Sequence, residues 1–308
     1  MGESLYKYFM QLPLDGTHWH ELKSLIAEYN KIRGKYLFLY SAAVGEMRSD
    51  TSIIQNDFYI IRDLLAKISD VNELDFYIET PGGSGEAVAE IVGFLRSRFQ
   101  EVNFIIAGEA KSAGTILALS GDNILMTETA SLGPIDAQLP LGRSWISAYD
   151  HINTIRQIKE QAEKTGKINP VDAILISQMT YGEIKGIENA LEFAKDLVVE
   201  WIPKYKFKNW TCTETTKKNV TEEMKKARAK ELAEALVNSE KWRKHSRSIK
   251  IPDLEEIGLK ITKLDDDKKL ADIVYRIHTL LRIIYERTKI CKVFASVDDA
   301  IIKECMNK

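Results

Sequence analysis

The fold turns on residues 75–115, DFYIETPGGSGEAVAEIVGFLRSRFQEVNFIIAGEAKSAGT. Residues 75–78 (DFYI) form a short apolar run that predicts a strand, and Thr80-Pro81-Gly82-Gly83 ends it in a sharp turn. Between Gly85 and Arg98 the apolar Val88, Ile91, Val92 and Leu95 fall on one stripe of a helix. Residues 103–107 (NFIIA) predict a second strand, followed by a loop of small residues and a helix that opens near Ser112. A third strand is predicted at 123–126 (NILM). Strand, helix, strand, helix and strand with short links imply parallel pairing with right-handed crossovers, and hence an α/β fold.

Upstream, residues 1–34 predict a helical preface, with Trp19, Leu22, Leu25 and Ile26 at helical spacing before Gly34. A buried strand is expected at 35–42 (KYLFLYSA) and an amphipathic helix at 51–68, where Ile53, Ile54, Phe58, Ile61 and Leu65 recur. After Pro140 the chain becomes helix-rich, with helices expected near 149–165, 170–180, 184–202 and 221–241. Segment 203–220 is polar, basic and dotted with aromatics, which predicts an exposed insertion. A short helix at 251–261 leads into a last strand around Leu259-Lys260-Ile261. Residues 268–308 predict a final helix with Ile273, Ile277, Leu280, Leu281 and Ile284 on one stripe, a core face or a subunit contact. The expected organisation is therefore a helical segment at 1–34, a main domain at 35–267 and a C-terminal helix at 268–308.

The 308 residues suffice for a substantial core, and 44% hydrophobic with 29% charged residues is ordinary globular composition. A net charge of -2 gives no electrostatic case for a nucleic-acid or membrane-surface partner. Lysines gather at Lys204, Lys206 and Lys208, and again from Lys217 to Lys230. The second group is interleaved with Glu222, Glu223, Glu231 and Glu234, the pattern of a solvated helix face. Cys212, Cys291 and Cys305 are odd in number and lack metal-ligand spacing, so a reducing compartment is expected. The sequons at Asn209 and Asn219 read as chance matches, because the first twenty residues hold no signal-peptide stretch. No apolar run is long enough to span a membrane, so a cytoplasmic protein without a membrane anchor is expected.

Two small-residue turns could carry chemistry. In Thr80-Pro81-Gly82-Gly83-Ser84-Gly85, consecutive glycines let backbone N–H groups face a bound group with no side chain in the way. The spacing matches neither G-x-G-x-x-G nor the P-loop, so no nucleotide cofactor is implied. In Gly108-Glu109-Ala110-Lys111-Ser112-Ala113-Gly114-Thr115 a serine sits where a helix begins. Taken alone, Ser112 reads as an ordinary N-cap.

Both turns in register, with Ser112-Ala113-Gly114-Thr115-Ile116-Leu117-Ala118-Leu119-Ser120-Gly121-Asp122 and Ser131-Leu132-Gly133-Pro134-Ile135-Asp136, resemble the serine dehydrogenase proteinase family. The wider pattern is similar to the ClpP, signal peptide and stomatin-specific peptidases. The resemblance is good over about residues 50–140, patchy to about 265 and thin at both ends. It implies a ClpP/crotonase-like spiral of parallel βαβ units with extra helices at both ends. It also implies a serine peptidase acting on peptides or proteins, without cofactor or metal, and assembling as a homo-oligomer with the last helix as a contact. Ser112 becomes the nucleophile, and the N–H groups of Gly83 and Ala113 become the oxyanion hole.

An unactivated serine needs a general base. The ClpP peptidases place a histidine in an I-H-Q-P stretch, where this chain has Ile135-Asp136, 24 positions after Ser112. Counting back from Gly258-Leu259 to the position of the ClpP aspartate lands within a residue of His245. Acid and imidazole thus exchange places, and Ser112-His245-Asp136 is one expected triad, since geometry rather than order defines it. Ser-Lys peptidases suggest Lys159 or Lys164, 47 and 52 positions after Ser112, and His151, 39 positions on, is a further alternative. His18 and His20 flank Trp19 as surface residues rather than metal ligands, and His278 belongs to the apolar face of the last helix. Two other functions share the pattern: crotonase-type acyl-CoA chemistry, and a ClpP-fold interaction module without activity.

Overall fold

The computed structural model describes residues 4–13, 16–45, 50–141, 144–213, 215–242 and 247–305. The first elements are α1 (Leu5–Met10), α2 (Thr17–Arg33), β1 (Tyr36–Ala42), α3 (Gln55–Ala66), β2 (Glu73–Glu79), α4 (Gly85–Arg98), β3 (Glu101–Ile106), β4 (Glu109–Ala110), α5 (Ala113–Leu119) and β5 (Asn123–Met126). Next come β6 (Ser131–Leu132), β7 (Gln138–Leu141), β8 (Ser144–Ser147), α6 (Ala148–Thr165), α7 (Pro170–Ser177) and α8 (Tyr181–Lys204). The chain continues with α9 (Glu222–Val237), α10 (Ser239–Trp242), α11 (Ile251–Glu256), β9 (Thr262–Lys263), α12 (Lys268–Arg287), β10 (Ile290–Ala295) and β11 (Ala300–Glu304).

Alternation along the strands builds two cores. Phe38 and Tyr40 of β1, Leu74, Phe76 and Ile78 of β2, and Phe104 and Ile106 of β3 face α3, α4, α5, α8 and α9. Leu37, Leu39, Tyr77 and Ile105 face the other way, against α2 and α12. Strands covered on both faces read as continuous apolar runs, as KYLFLYSA does. Among the described residues the central sheet runs β11-β10-β1-β2-β3-β5-β9, with β1, β2, β3, β5 and β9 parallel and β10 and β11 antiparallel. This is the expected α/β fold of parallel βαβ units.

Two rungs fix the register of the parallel strands. Phe38, Phe76 and Phe104 stand opposite one another, with ring centroids 5.3 and 5.5 Å apart. One residue earlier on β2 and β3, Asp75 pairs with Asn103, and Asn103 with Asn123. Asn103 Nδ2 donates to Asp75 Oδ1 at 2.8 Å, and Asn123 Nδ2 donates to Asn103 Oδ1 at 2.9 Å. Tyr29 Oη at 2.5 Å and Arg33 Nε at 3.2 Å, both from α2, complete the Asp75 shell. A one-residue slip would break the polar rung and turn the aromatic one to the wrong face.

Three regions differ from the sequence reading. The last helix ends at Arg287, and 290–304 is a β-hairpin that joins β1 at the sheet edge. The apolar stripe of α12 is buried against α2 and the sheet, so its subunit-contact role passes to the core. Segment 203–220 is largely exposed, as expected, but anchored at its start: the Arg96 guanidinium lies 3.7 Å from the centre of the Tyr205 ring and pairs with Asp122 at 2.6 Å, and Lys208 pairs with the same carboxylate. Apolar side chains of α7 lie outside the core, with Val171, Ile174 and Leu175 exposed. No helix among the described residues is long and apolar enough to cross a membrane.

Phe76 is fully buried in the middle of the aromatic rung. Phe76→Ala should lower stability by about 3–5 kcal/mol, read as a shift in the urea midpoint. A loss below about 1 kcal/mol would mean that the rung does not organise the sheet.

Candidate active site

The carboxyl ends of β2 and β3 carry the two glycine- and serine-containing turns, and backbone pairing holds them together. Thr80 N–H donates to the Glu109 carbonyl at 2.8 Å, and Lys111 N–H donates to the Thr80 carbonyl at 3.0 Å. On the far side, Ile53 N–H donates to the Gly82 carbonyl at 2.7 Å and Ser84 N–H to the Ile53 carbonyl at 2.9 Å. Gly82-Gly83 is thus gripped between the segment before α3 and the serine turn. Gly82 has φ +108, and a methyl group there would come within 2.7 Å of Ser112 Cβ. Gly83 has φ +148, and a methyl group would overlap the Ile53 backbone. Only glycine fits at either position.

Ser112 has φ +50 and ψ -118, a conformation that a residue with a Cβ rarely adopts. Such strain persists only where the surroundings over-determine it, and it gathers at functional sites. The hydroxyl does not cap α5, and among the described residues it makes no hydrogen bond. The ordinary reading of a helix-start serine is therefore removed. The N–H groups of Gly83 and Ala113 likewise donate to nothing among the described residues. Ser112 is half-buried, and Gly82, directly before Gly83, comes up against Ser112 Cβ and the Ala113 nitrogen.

Lys111, which drew no attention in the sequence, is buried directly before Ser112. Its Nζ donates to Ser131 Oγ (3.0 Å), the Leu132 carbonyl (3.2 Å), Ser248 Oγ (2.9 Å) and the Arg247 carbonyl (3.5 Å). Burial pushes its pKa down; Glu109 opposes the shift and Lys250 adds to it. Leu132 and Ile249 exchange N–H···O bonds of 3.0 and 2.9 Å beside it. Residues 247–249 are thereby fastened to the serine turn. The available signal was a lone lysine between Ala110 and Ser112, where only small residues were otherwise expected.

The base candidates separate. His245 lies outside the described residues, two positions before Arg247. Asp136 is buried; its Oδ1 accepts from Tyr149 N–H at 3.0 Å and its Oδ2 from Gln138 Nε2 at 3.2 Å. His151 on α6 has Nε2 3.0 Å from Met179 Sδ, beyond α7. Lys159 is 74% exposed and pairs with Glu163 at 3.9 Å, and Lys164 is exposed as well. His278 Nδ1 meets Tyr77 Oη at 2.9 Å and Glu79 at 3.5 Å across the sheet. No group of three or more potential metal ligands occurs among the described residues.

The sequence model of the family described as ClpP-like SDH-type serine proteinase matches residues 53–198, the stretch that holds both turns and Asp136. Two uncharacterized proteins of Methanocaldococcus jannaschii are similar in part. One is 38% identical over 86 residues, 28% of this chain and 30% of the relative. The other is 31% identical over 132 residues, 40% of this chain and 44% of the relative. The matched stretches thus span less than half the length of these relatives. Among solved structures, a serine-to-alanine mutant of the 1510-N membrane-bound stomatin-specific protease is 24% identical, covering 38% of this chain and 60% of that one, at a TM-score of 0.29. A lysine-to-alanine mutant of the same protease, in complex with a substrate peptide, is 23% identical, covering 38% and 57%, also at 0.29.

Lys111→Met would remove a donor from four oxygens, of which the Leu132 carbonyl keeps the Ile249 N–H. Each orphaned acceptor costs about 1–3 kcal/mol, offset in part because an ammonium is no longer buried. A net loss of about 1–3 kcal/mol in urea unfolding is expected, with faster exchange of the Ile249 amide. Unchanged exchange at Ile249 would show that Lys111 does not hold that segment.

Proposed function

We propose that this chain is a serine peptidase that cleaves peptide bonds through an acyl-enzyme on Ser112. The observation that carries the reading is Ser112 itself, held at positive φ with a hydroxyl that caps nothing, while the Gly83 and Ala113 N–H groups of the two adjoining turns stay uncommitted among the described residues. The match of residues 53–198 to a family of serine proteinases supports the reaction class.

In the proposed reaction Ser112 Oγ attacks the substrate carbonyl carbon as the base takes its proton. The carbonyl oxygen becomes an oxyanion between the two N–H groups, an arrangement worth about 100- to 1,000-fold per donor in comparable sites. Collapse of the tetrahedral intermediate breaks the C–N bond, and the base returns the proton to the leaving amine. Water, activated by the same base, then hydrolyses the ester and frees Ser112.

His245 is the base of this reading and Asp136 its partner. The first described residue after His245 is Arg247, whose carbonyl faces Lys111 Nζ. The tie of 247–249 to the serine turn through Lys111 supports the choice of His245, which precedes that segment in sequence. Exposure of Lys159 and Lys164, and the contact of His151 with Met179, weigh against those three. Self-association and a cytoplasmic location belong to the same proposal, with a contact surface other than α12.

A fluorophosphonate probe should label the protein, and Ser112→Ala should abolish both labelling and peptide hydrolysis. His245→Ala should lower kcat by about 100- to 10,000-fold with little change in melting temperature. Hydrolysis that survives Ser112→Ala would contradict the proposal and favour chemistry of the crotonase kind, which needs no serine there.

A further inference from the structure

Behind the glycine turn lies a buried charge cluster that the reaction does not use directly. Lys292 of β10 has no solvent exposure, and its Nζ donates to Asp57 Oδ2 at 2.6 Å and to the Ser52 carbonyl at 2.6 Å. Asp57, on α3, is equally buried; its Oδ2 also accepts from Tyr40 Oη and Ile54 N–H, each at 3.1 Å. Lys303 of β11 pairs with Oδ1 of the same carboxylate at 2.7 Å. One ammonium thus holds the residue before Ile53 directly, and the residue after Ile53 through Asp57.

Ile53 is the residue that grips Gly82 and Ser84 through its own N–H and carbonyl. With Ser52 and Ile54 both pinned, Ile53 cannot slide, and the plane of the Gly83 peptide is set. Burying an ammonium without exposure is costly unless it is paired. Lys303 already supplies Asp57 with a cation, so charge balance alone does not call for Lys292. What Lys292 adds is the bond to the Ser52 carbonyl.

We propose that Lys292 is a positioning residue for the peptidase reaction, acting through Ser52, Ile53 and Asp57 to aim the Gly83 N–H at the developing oxyanion. This rests on the function proposed above, but the clamp can be measured without any catalysis.

The test compares Lys292→Met with Lys303→Gln, which disturbs the same carboxylate but leaves the Ser52 carbonyl bond in place. Amide exchange at Ile53 and Ser84 should accelerate in Lys292→Met and stay at the parent rate in Lys303→Gln. The fluorophosphonate labelling rate and kcat should fall about tenfold to a hundredfold in Lys292→Met, less than the loss of a whole donor. KM and the labelling of Lys303→Gln should stay within about twofold, an RT-scale difference. Lys292→Gln, which retains a neutral donor, gives the same contrast if the methionine variant does not fold. Equal behaviour of the Lys292 and Lys303 variants in exchange and labelling would overturn the proposal. A parent protein that no fluorophosphonate labels would defeat the peptidase reading instead, and the exchange result would then judge the clamp by itself.

Discussion

Two backbone hydrogen bonds, Thr80 N–H to the Glu109 carbonyl and Lys111 N–H to the Thr80 carbonyl, set the site. They form an isolated parallel bridge between Thr80 and Ala110 of β4, beyond the last β2–β3 pair, and so lay the glycine turn against the serine turn. Everything else serves that juxtaposition. The aromatic and polar rungs keep β2 and β3 from slipping. Gly82 lets the first turn come close enough to touch Ser112, and Gly83 lets Ile53 close over it. The positive φ of Ser112 costs energy of the order of 1–3 kcal/mol, which this packed surrounding can sustain.

Two buried lysines then tie the turns to distant parts of the chain. Lys111 fastens 247–249 to the serine turn, and Lys292 fastens the segment around Ile53 to the glycine turn. Lys111 gives its four bonds to backbone carbonyls and hydroxyls, and Lys292 divides its two between the Ser52 carbonyl and the Asp57 carboxylate, so both act as multi-donor staples rather than as simple ion pairs. The site is thereby assembled from residues near 53, 83, 112 and 248, although the family match ends at 198.

The sequence made local features legible because they rest on local physics. Periodicity placed α4 and β5 at the observed bounds, and small-residue turns marked both halves of the site. The terminal hairpin was missed because the strong helical stripe of α12 ran into ICKVFA, whose β-branched character needs the waiting edge of β1 to become a strand. Lys111 and Lys292 were illegible for a related reason. A lysine reads as solvated until the fold surrounds it with acceptors, and theirs lie 20 or more positions away in sequence. The apolar stripe of α12 was readable, but whether it faced a core or a partner was not. α2, more than 200 residues upstream, decides that.

In the proposed reaction Ser112 attacks a carbonyl whose oxygen enters the space between the Gly83 and Ala113 N–H groups. A crystal structure of the protein after reaction with a peptidyl fluorophosphonate tests this most directly. The expected result is a covalent bond to Ser112 Oγ, with the phosphonyl oxygen about 2.7–3.1 Å from both nitrogens and the His245 imidazole facing Oγ. An adduct on another residue, or a phosphonyl oxygen turned away from both N–H groups, would contradict it.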